Sequence, residues 1–221
     1  KEYRRQRQMC IRDSLRTPLS AVRLSAELLE TRVDEPRNLK LIRAVRQSAV
    51  RMGVLIEDVL DFARGELAGG IPIKPVVTDN LQEQFDAVLT ELRVVHPCAV
   101  IQDTLSIPPG LNCDPDRLGQ LLVNLVDNAI THGAKGEPVA VRIYTVNQSL
   151  VLSVHNRGVA IPEDVLPWLF HPFRRPEVGS RKEGLGLGLY IANQICLGHR
   201  GTLGVTSNDA HGTEFVATLP C

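Results

Sequence analysis

The sequence predicts an α+β chain in two parts: an antiparallel helical hairpin over residues 1–66 and a mixed α/β domain over residues 67–221. Two observations carry the prediction. Apolar residues in heptad spacing fill the first part, and after Gly70 short β-branched runs alternate with helical periods. Between them, glycines at 65, 69 and 70 break the helical pattern.

From Arg12 to Glu30, Leu15, Leu19, Val22, Ala26 and Leu29 step by 4, 3, 4 and 3, the spacing of a helix in a bundle. Pro18 lies inside this run and removes one intrahelical hydrogen bond, which predicts a kink. Ile42, Val45, Ala49, Met52, Ile56, Val59 and Ala63 repeat the pattern. The break at Thr31 to Pro36 offers Asp34 as an N-cap and Pro36 in the first turn, and Gly65, Gly69 and Gly70 are expected to end the second helix. A hairpin of two helices cannot bury such a stripe by itself. A homodimer through residues 1–66, closing a four-helix bundle, is therefore predicted.

In the second part, strands are predicted at Ile71 to Val77, Ala99 to Thr104, Val139 to Val146, Leu150 to His155, Thr202 to Ser207 and Thr213 to Leu219. Helices are predicted at Asn80 to Val95, Pro115 to His132, Pro162 to Phe170 and Leu185 to Leu197. Pro172 to Gly184 is too rich in glycine and charge for a core element and reads as a mobile lid.

Composition narrows the function. The 221 residues are 43% hydrophobic, enough for one or two packed domains, and 25 basic against 25 acidic residues leave no net charge to hold a polyanion. No nucleic-acid partner and no direct membrane contact are expected. Arg4, Arg5, Arg7 and Arg12 lack interleaved aromatics and read as a solvated coiled-coil entry. No apolar run reaches the roughly 18 residues of a membrane span. A start at Lys1 with neither a signal-peptide pattern nor an initiator Met reads as a soluble piece of something longer. Five scattered cysteines without CxxC spacing suggest a reducing, cytoplasmic setting.

Three segments carry chemistry. Gly184-Leu-Gly-Leu-Gly-Leu189 opens a helix, where glycines let backbone N–H groups approach phosphate oxygens; alone, such a motif is more often mere packing or a turn. Asn124 and Asn128 sit at i and i+4 on one helix face, and their side-chain oxygens suit Mg²⁺ or plain surface hydrogen bonding. Asn156-Arg-Gly-Val-Ala-Ile-Pro162 follows a strand.

Together, and in this order, the segments resemble the ATP-binding domain of bacterial sensor histidine kinases, whose fold is shared with gyrase, heat-shock and mismatch-repair ATPases. The asparagine box matches Asn124 to Ala129, the first glycine box Asn156 to Pro162, the phenylalanine box Phe170-His-Pro-Phe173 and the second glycine box Gly184 to Leu189. The hairpin resembles the dimerisation and phosphoacceptor domain of the same kinases through Leu15-Arg-Thr-Pro-Leu19. The resemblance spans essentially the whole chain and implies an α/β sandwich of the histidine-kinase/gyrase ATPase type with ATP and Mg²⁺ as cofactors. It implies Asn128 as the Mg²⁺ ligand, Asn124 as the neighbour orienting the γ-phosphate, and Asn156 facing the adenine amino group. Gly158 and Ala160 would admit adenine, Gly184, Gly186 and Gly188 would wrap the phosphates, and Phe170 and Phe173 would anchor the lid. Core packing explains the two phenylalanines equally well.

The chain departs from that family at the acceptor. Where the pattern has the phosphoacceptor His, two residues before Leu15-Arg16, this sequence has Asp13, and the first histidine of the chain is His96. Self-phosphorylation on a hairpin histidine is thereby excluded, and Asp13 reads chiefly as a solvated residue. Thr17 retains a hydroxyl able to orient water, but Ser14 replaces the usual neighbouring acid. Asn156 replaces an adenine-binding Asp, and Thr131 a basic residue, so weakened nucleotide binding is expected.

Two functions follow. One is a transmitter pseudokinase that works by conformational change and contact with a response regulator, a partner kinase or a transcription regulator, driven by an absent N-terminal sensor domain. The other is a competent kinase that phosphorylates a histidine on a partner. His132, His155, His171, His199 and His211 show no ligand spacing, so Mg²⁺ with nucleotide is the only metal predicted.

Overall fold

The computed structural model describes residues 19–32, 35–173 and 185–221. The chain divides into two compact units, Lys1–Ala63 and Arg64–Cys221. The expected kink at Pro18 and the Asp34 cap lie outside the described residues, as does the lid from residue 174 onward.

In the first unit, helix α1 (residues 19–30) pairs with α2 (Pro36–Ala68), which continues into the second unit. The antiparallel register is set by small residues and one ionic clamp. A Cβ built on Gly53 would lie 3.4 Å from Leu19 Cδ2, and Ala26 and Ala49 are buried. At the turn, Glu30 accepts from Arg43 Nε at 2.7 Å and pairs with Arg46 Nε at 3.2 Å. Of the heptad positions, Val22, Leu29, Val45, Met52 and Val59 remain exposed in the single chain. Contrary to the expectation from sequence, Gly65 does not end α2; the helix runs on to Ala68, and Gly69 and Gly70 stop it with φ of 76° and 137°.

The second unit layers three helices on a sheet. Strands β2 (Ile101–Ser106), β4 (Val139–Val146), β5 (Ser149–Asn156), β6 (Thr202–Asn208) and β7 (Gly212–Pro220) run in the order β2-β4-β5-β7-β6. Only the β2–β4 pair is parallel. Helices α3 (Leu81–Val95), α4 (Pro115–His132) and α5 (Gly188–Gly198) pack on one another and on the sheet. The core between the layers holds Phe85, Leu89, Leu121, Leu125, Ile143, Leu152, Ile191 and Phe215. Its amphipathic pattern explains α4: Leu118, Leu121, Leu122, Leu125, Val126 and Ala129 face inward, and the Asp114 carboxylate caps the helix by accepting from Arg117 N–H.

In the second unit three further sequence expectations are corrected. The strand expected at Ile71 to Val77 forms only at β1 (Val76–Thr78), paired with a short β3 (Leu111–Cys113) that the sequence reading missed. Pro75 brings no N–H to a ladder, and Ile71 and Ile73 pack instead against Gly198 of α5. The helix expected at Pro162 to Phe170 is reduced to a 3₁₀ turn at Leu166–Trp168, since Pro167 falls in its middle. Helix α5 begins at Gly188 rather than Leu185, because Gly186 takes φ 71°.

Candidate nucleotide site

Helix α4 brings Asn124 and Asn128 to one side, each half-buried at the edge of its apolar face. Helix α5 arrives with a glycine at its first position. A Cβ built on Gly188 would meet Asn124 Oδ1 at 3.6 Å, so the asparagine box and the second glycine box are in contact here. Asn124 Nδ2 is buried with no hydrogen-bond partner, and it is the one side-chain N or O atom so left among the described residues. A buried N–H left unsatisfied costs about 1–3 kcal/mol. An acceptor-rich ligand at this edge would satisfy that donor, which is the chemistry of a phosphate chain.

Asp127, between the two asparagines, turns to α3 and lies 2.8 Å from His96 Nε2. Burial raises its pKa, against the opposing hydrogen bond and charge of His96.

Asn156 ends β5, buried between Val139 of β4 and Thr213 of β7 in register. Its Nδ2 donates to the Arg157 carbonyl at 3.3 Å. The loop that follows is held from β6 and the turn after it: Ala160 N–H donates to Asp209 Oδ1 at 3.2 Å and Ile161 N–H to Ser207 Oγ at 2.9 Å. Ser207 in turn pairs with Thr213 Oγ1 at 2.7 Å. Ser207, Asp209 and Thr213 were not singled out from sequence. The turn residues Asn208 to Gly212 between two strands were their only signal there. For Gly158 the structure supplies a packing reason: a Cβ would lie 2.9 Å from the His132 carbonyl at the end of α4.

The two phenylalanines behave differently. Phe170 packs edge-on against core Phe215 at 6.4 Å between ring centroids. Phe173 exposes its ring, takes φ 59°, and donates its backbone N–H to the Gly186 carbonyl at 3.2 Å. It thus ties the phenylalanine box to the second glycine box through backbone. Asp13, Thr17 and Gly184 lie outside the described residues.

A mixed five-stranded sheet under three helices, with an asparagine-bearing helix against a glycine-opened one, places this domain among the ATPases of the kinase and gyrase class. Residues 113–221 match the family model of histidine kinase-, DNA gyrase B- and HSP90-like ATPases. Residues 11–68 match the His Kinase A (phospho-acceptor) domain, and the chain belongs to the sensor histidine kinases as their transmitter core.

Among its relatives, the bacteriophytochrome of Pseudomonas aeruginosa is 33% identical over 199 residues, covering 88% of this chain and 27% of the relative. The sensor histidine kinase CusS of Escherichia coli K12 is 32% identical over 217 residues, covering 95% of this chain and 44% of CusS. The crystal structure of full-length ShkA in complex with AMPPNP superposes with a TM-score of 0.73 at 26% identity, covering 97% of this chain and 45% of ShkA. The chain spans 27% to 56% of the first curated relatives it matches. Among the described residues no helix is long and apolar enough to cross a membrane.

Proposed function

We propose that this transmitter core is a histidine pseudokinase: it binds Mg²⁺–ATP, does not phosphorylate its own hairpin, and signals by conformational change and partner contact. One observation carries the reading: Asp13 stands where the acceptor histidine belongs, and no histidine precedes His96. A carboxylate becomes an acceptor in receiver-type sites with the help of bound Mg²⁺ and a Lys that a different fold supplies.

The ligand set fits ATP. Bound Mg²⁺–ATP supplies an electrophilic γ-phosphoryl group. The Asn128 side-chain oxygen would ligate the metal, the orphaned Asn124 N–H would donate toward a phosphate oxygen, and Gly186 and Gly188 would leave backbone room for the chain of phosphates. Asn156 would accept from the adenine amine with a neutral carbonyl. That is weaker than a carboxylate by about 1 kcal/mol, roughly fivefold in affinity. Gly158 and Ala160 would border the base, and Gly184, Phe170 and Phe173 would shape the closing lid. As for assembly, the exposed heptad residues Val22, Leu29, Val45, Met52 and Val59 are the surface a second copy would cover, giving a homodimer through residues 1–66. The output would then go to a response regulator, a partner kinase or a transcription regulator, under an N-terminal sensor, in the cytoplasm.

The intact Asn124, Asn128 and glycine spacing from Gly184 to Gly188 favour a second reading, a competent kinase acting on a partner's histidine. Calorimetry with Mg²⁺–ATP, followed by γ-labelled ATP with the chain alone, the Asp13→His variant and an added histidine-bearing hairpin, separates the two. Binding without transfer to any of the three supports the pseudokinase. Label on the added hairpin or on the variant establishes a competent kinase domain, and no binding at millimolar ATP overturns both.

A further inference from the structure

The last turn of α2 is fastened to α5. Tyr190, buried one half-turn beyond Gly188, donates its hydroxyl to Glu66 Oε1 at 3.1 Å. Gly65 makes this approach feasible, since a Cβ there would lie 2.6 Å from the Tyr190 hydroxyl oxygen. A glycine inside a helix costs about 1 kcal/mol relative to alanine, and here the ring occupies the space it vacates. The same segment then runs on to the other end of α5: a Cβ on Gly198 would lie 2.6 Å from Ile73 Cγ1 and 3.1 Å from the Ile71 carbonyl. Lys74 N–H donates to the Asp114 carboxylate at 2.7 Å, the same carboxylate that caps α4. His199 completes the tie. Its Nδ1 donates to the Ile195 carbonyl at 2.9 Å, leaving Nε2 to accept from Asp114 N–H at 3.2 Å.

Residues 65–74 therefore hold α5 at both ends and α4 at its start, the two helices whose meeting point is Gly188 against Asn124. We propose that Glu66 and Tyr190 are positioning residues for the nucleotide site: their hydrogen bond fixes α5 at the placement where its first turn meets Asn124. A movement of the α2 tail would reach the phosphate end of the site through this polar contact, which sits on the first turn of α5. The inference rests on the nucleotide-site reading above for its effect on ATP, and on geometry alone for the placement of α5.

The test uses the full 221-residue chain with Glu66→Ala, Tyr190→Phe, the double variant and Glu66→Gln, which keeps an acceptor. Calorimetry with Mg²⁺–ATP should show each of the first two weakening binding roughly five- to tenfold, the scale of one ordinary hydrogen bond. The double variant should be no worse than either, Glu66→Gln should recover most of the affinity, and melting temperatures should fall by no more than about 4 °C, the scale of one hydrogen bond. In the nucleotide-free chain, amide exchange over residues 187–192 should quicken at least threefold in Glu66→Ala and Tyr190→Phe, with residues 121–126 unchanged. Unchanged exchange at α5 overturns the proposal, as do additive losses or affinity that tracks melting temperature. If the parent fails to bind Mg²⁺–ATP, the nucleotide-site reading fails separately, and the exchange data still decide whether the pair positions α5.

Discussion

Gly188 and Asn124 meet at the start of α5 so closely that a methyl group on the glycine would lie 3.6 Å from the asparagine oxygen, while the amide nitrogen beside it is buried without a partner. Two helices have been brought together around a donor that the fold itself leaves unused.

Asn124→Leu therefore separates stability from binding. Replacing an unsatisfied buried amide by an apolar isostere should leave the melting temperature unchanged or raise it by about 2–4 °C. Affinity for Mg²⁺–ATP should fall more than tenfold. A melting temperature several degrees lower would mean that the amide has a structural partner after all, and calorimetry beside a thermal melt measures both.

Gly212 and Gly136 have nearly the same backbone, φ 85° and 83°, but different surroundings. A Cβ on Gly212 would lie 2.3 Å from the Asn156 carbonyl oxygen, whereas Gly136 has nothing within 4 Å. Gly136→Ala should cost about 1 kcal/mol, the strain of a left-handed alanine, and Gly212→Ala about 2–4 kcal/mol. Urea denaturation of the two variants reads the difference. Equal losses would show that the β7 entrance yields without disturbing Asn156.

Asp58 on α2 carries a pH signature. Burial, then the charges of Asp61 and Glu57, raise its pKa from the ordinary 3.8 to about 6. The folded chain thus holds this proton more tightly than the unfolded one, so the penalty for ionising Asp58 is absent below pH 4 and grows until about pH 6. Asp58→Asn should stabilise the chain at pH 7.5 by about 1 kcal/mol, allowing for solvent screening, and give no advantage at pH 4. Thermal melts of both proteins at the two pH values decide it; an equal gain at both would point to packing instead.

The thiols should divide by exposure. Burial pushes Cys196 up to about 12, and burial with the nearby Cys221 and Asp114 pushes Cys113 up to about 11, while Cys98 is exposed. With a maleimide at pH 7.5 and mass mapping, Cys98 should be labelled within minutes, and Cys113 and Cys196 only after denaturant is added. Prompt labelling of Cys196 would reveal opening of α5.

Much of this architecture was legible from residue order. Helix α4 was readable within its ends because its apolar residues repeat at helical spacing behind a Pro at the first position, and β4, β5, β6 and β7 were readable because each is a long β-branched or alternating run. The short pieces were not. Three-residue β3 has too few positions to show a period, β1 was hidden in a longer apolar run whose remainder packs on α5, and Pro162 to Phe170 carried helical spacing that Pro167 forbids.

By itself the sequence determined the motif order, the helical hairpin followed by an α/β domain, and the substitution of Asp13 at the acceptor position, because these are facts of residue type and local periodicity. Only the tertiary structure decided that Gly188 faces Asn124, that Asn124 keeps an unpaired donor, that Ser207 and Asp209 hold the loop after Asn156, and that Glu66 clasps Tyr190. Glu66 and Tyr190 stand 124 positions apart. No local pattern records such a pairing, because it exists only once the sheet and its helices have packed and the chain's distant segments have been set side by side.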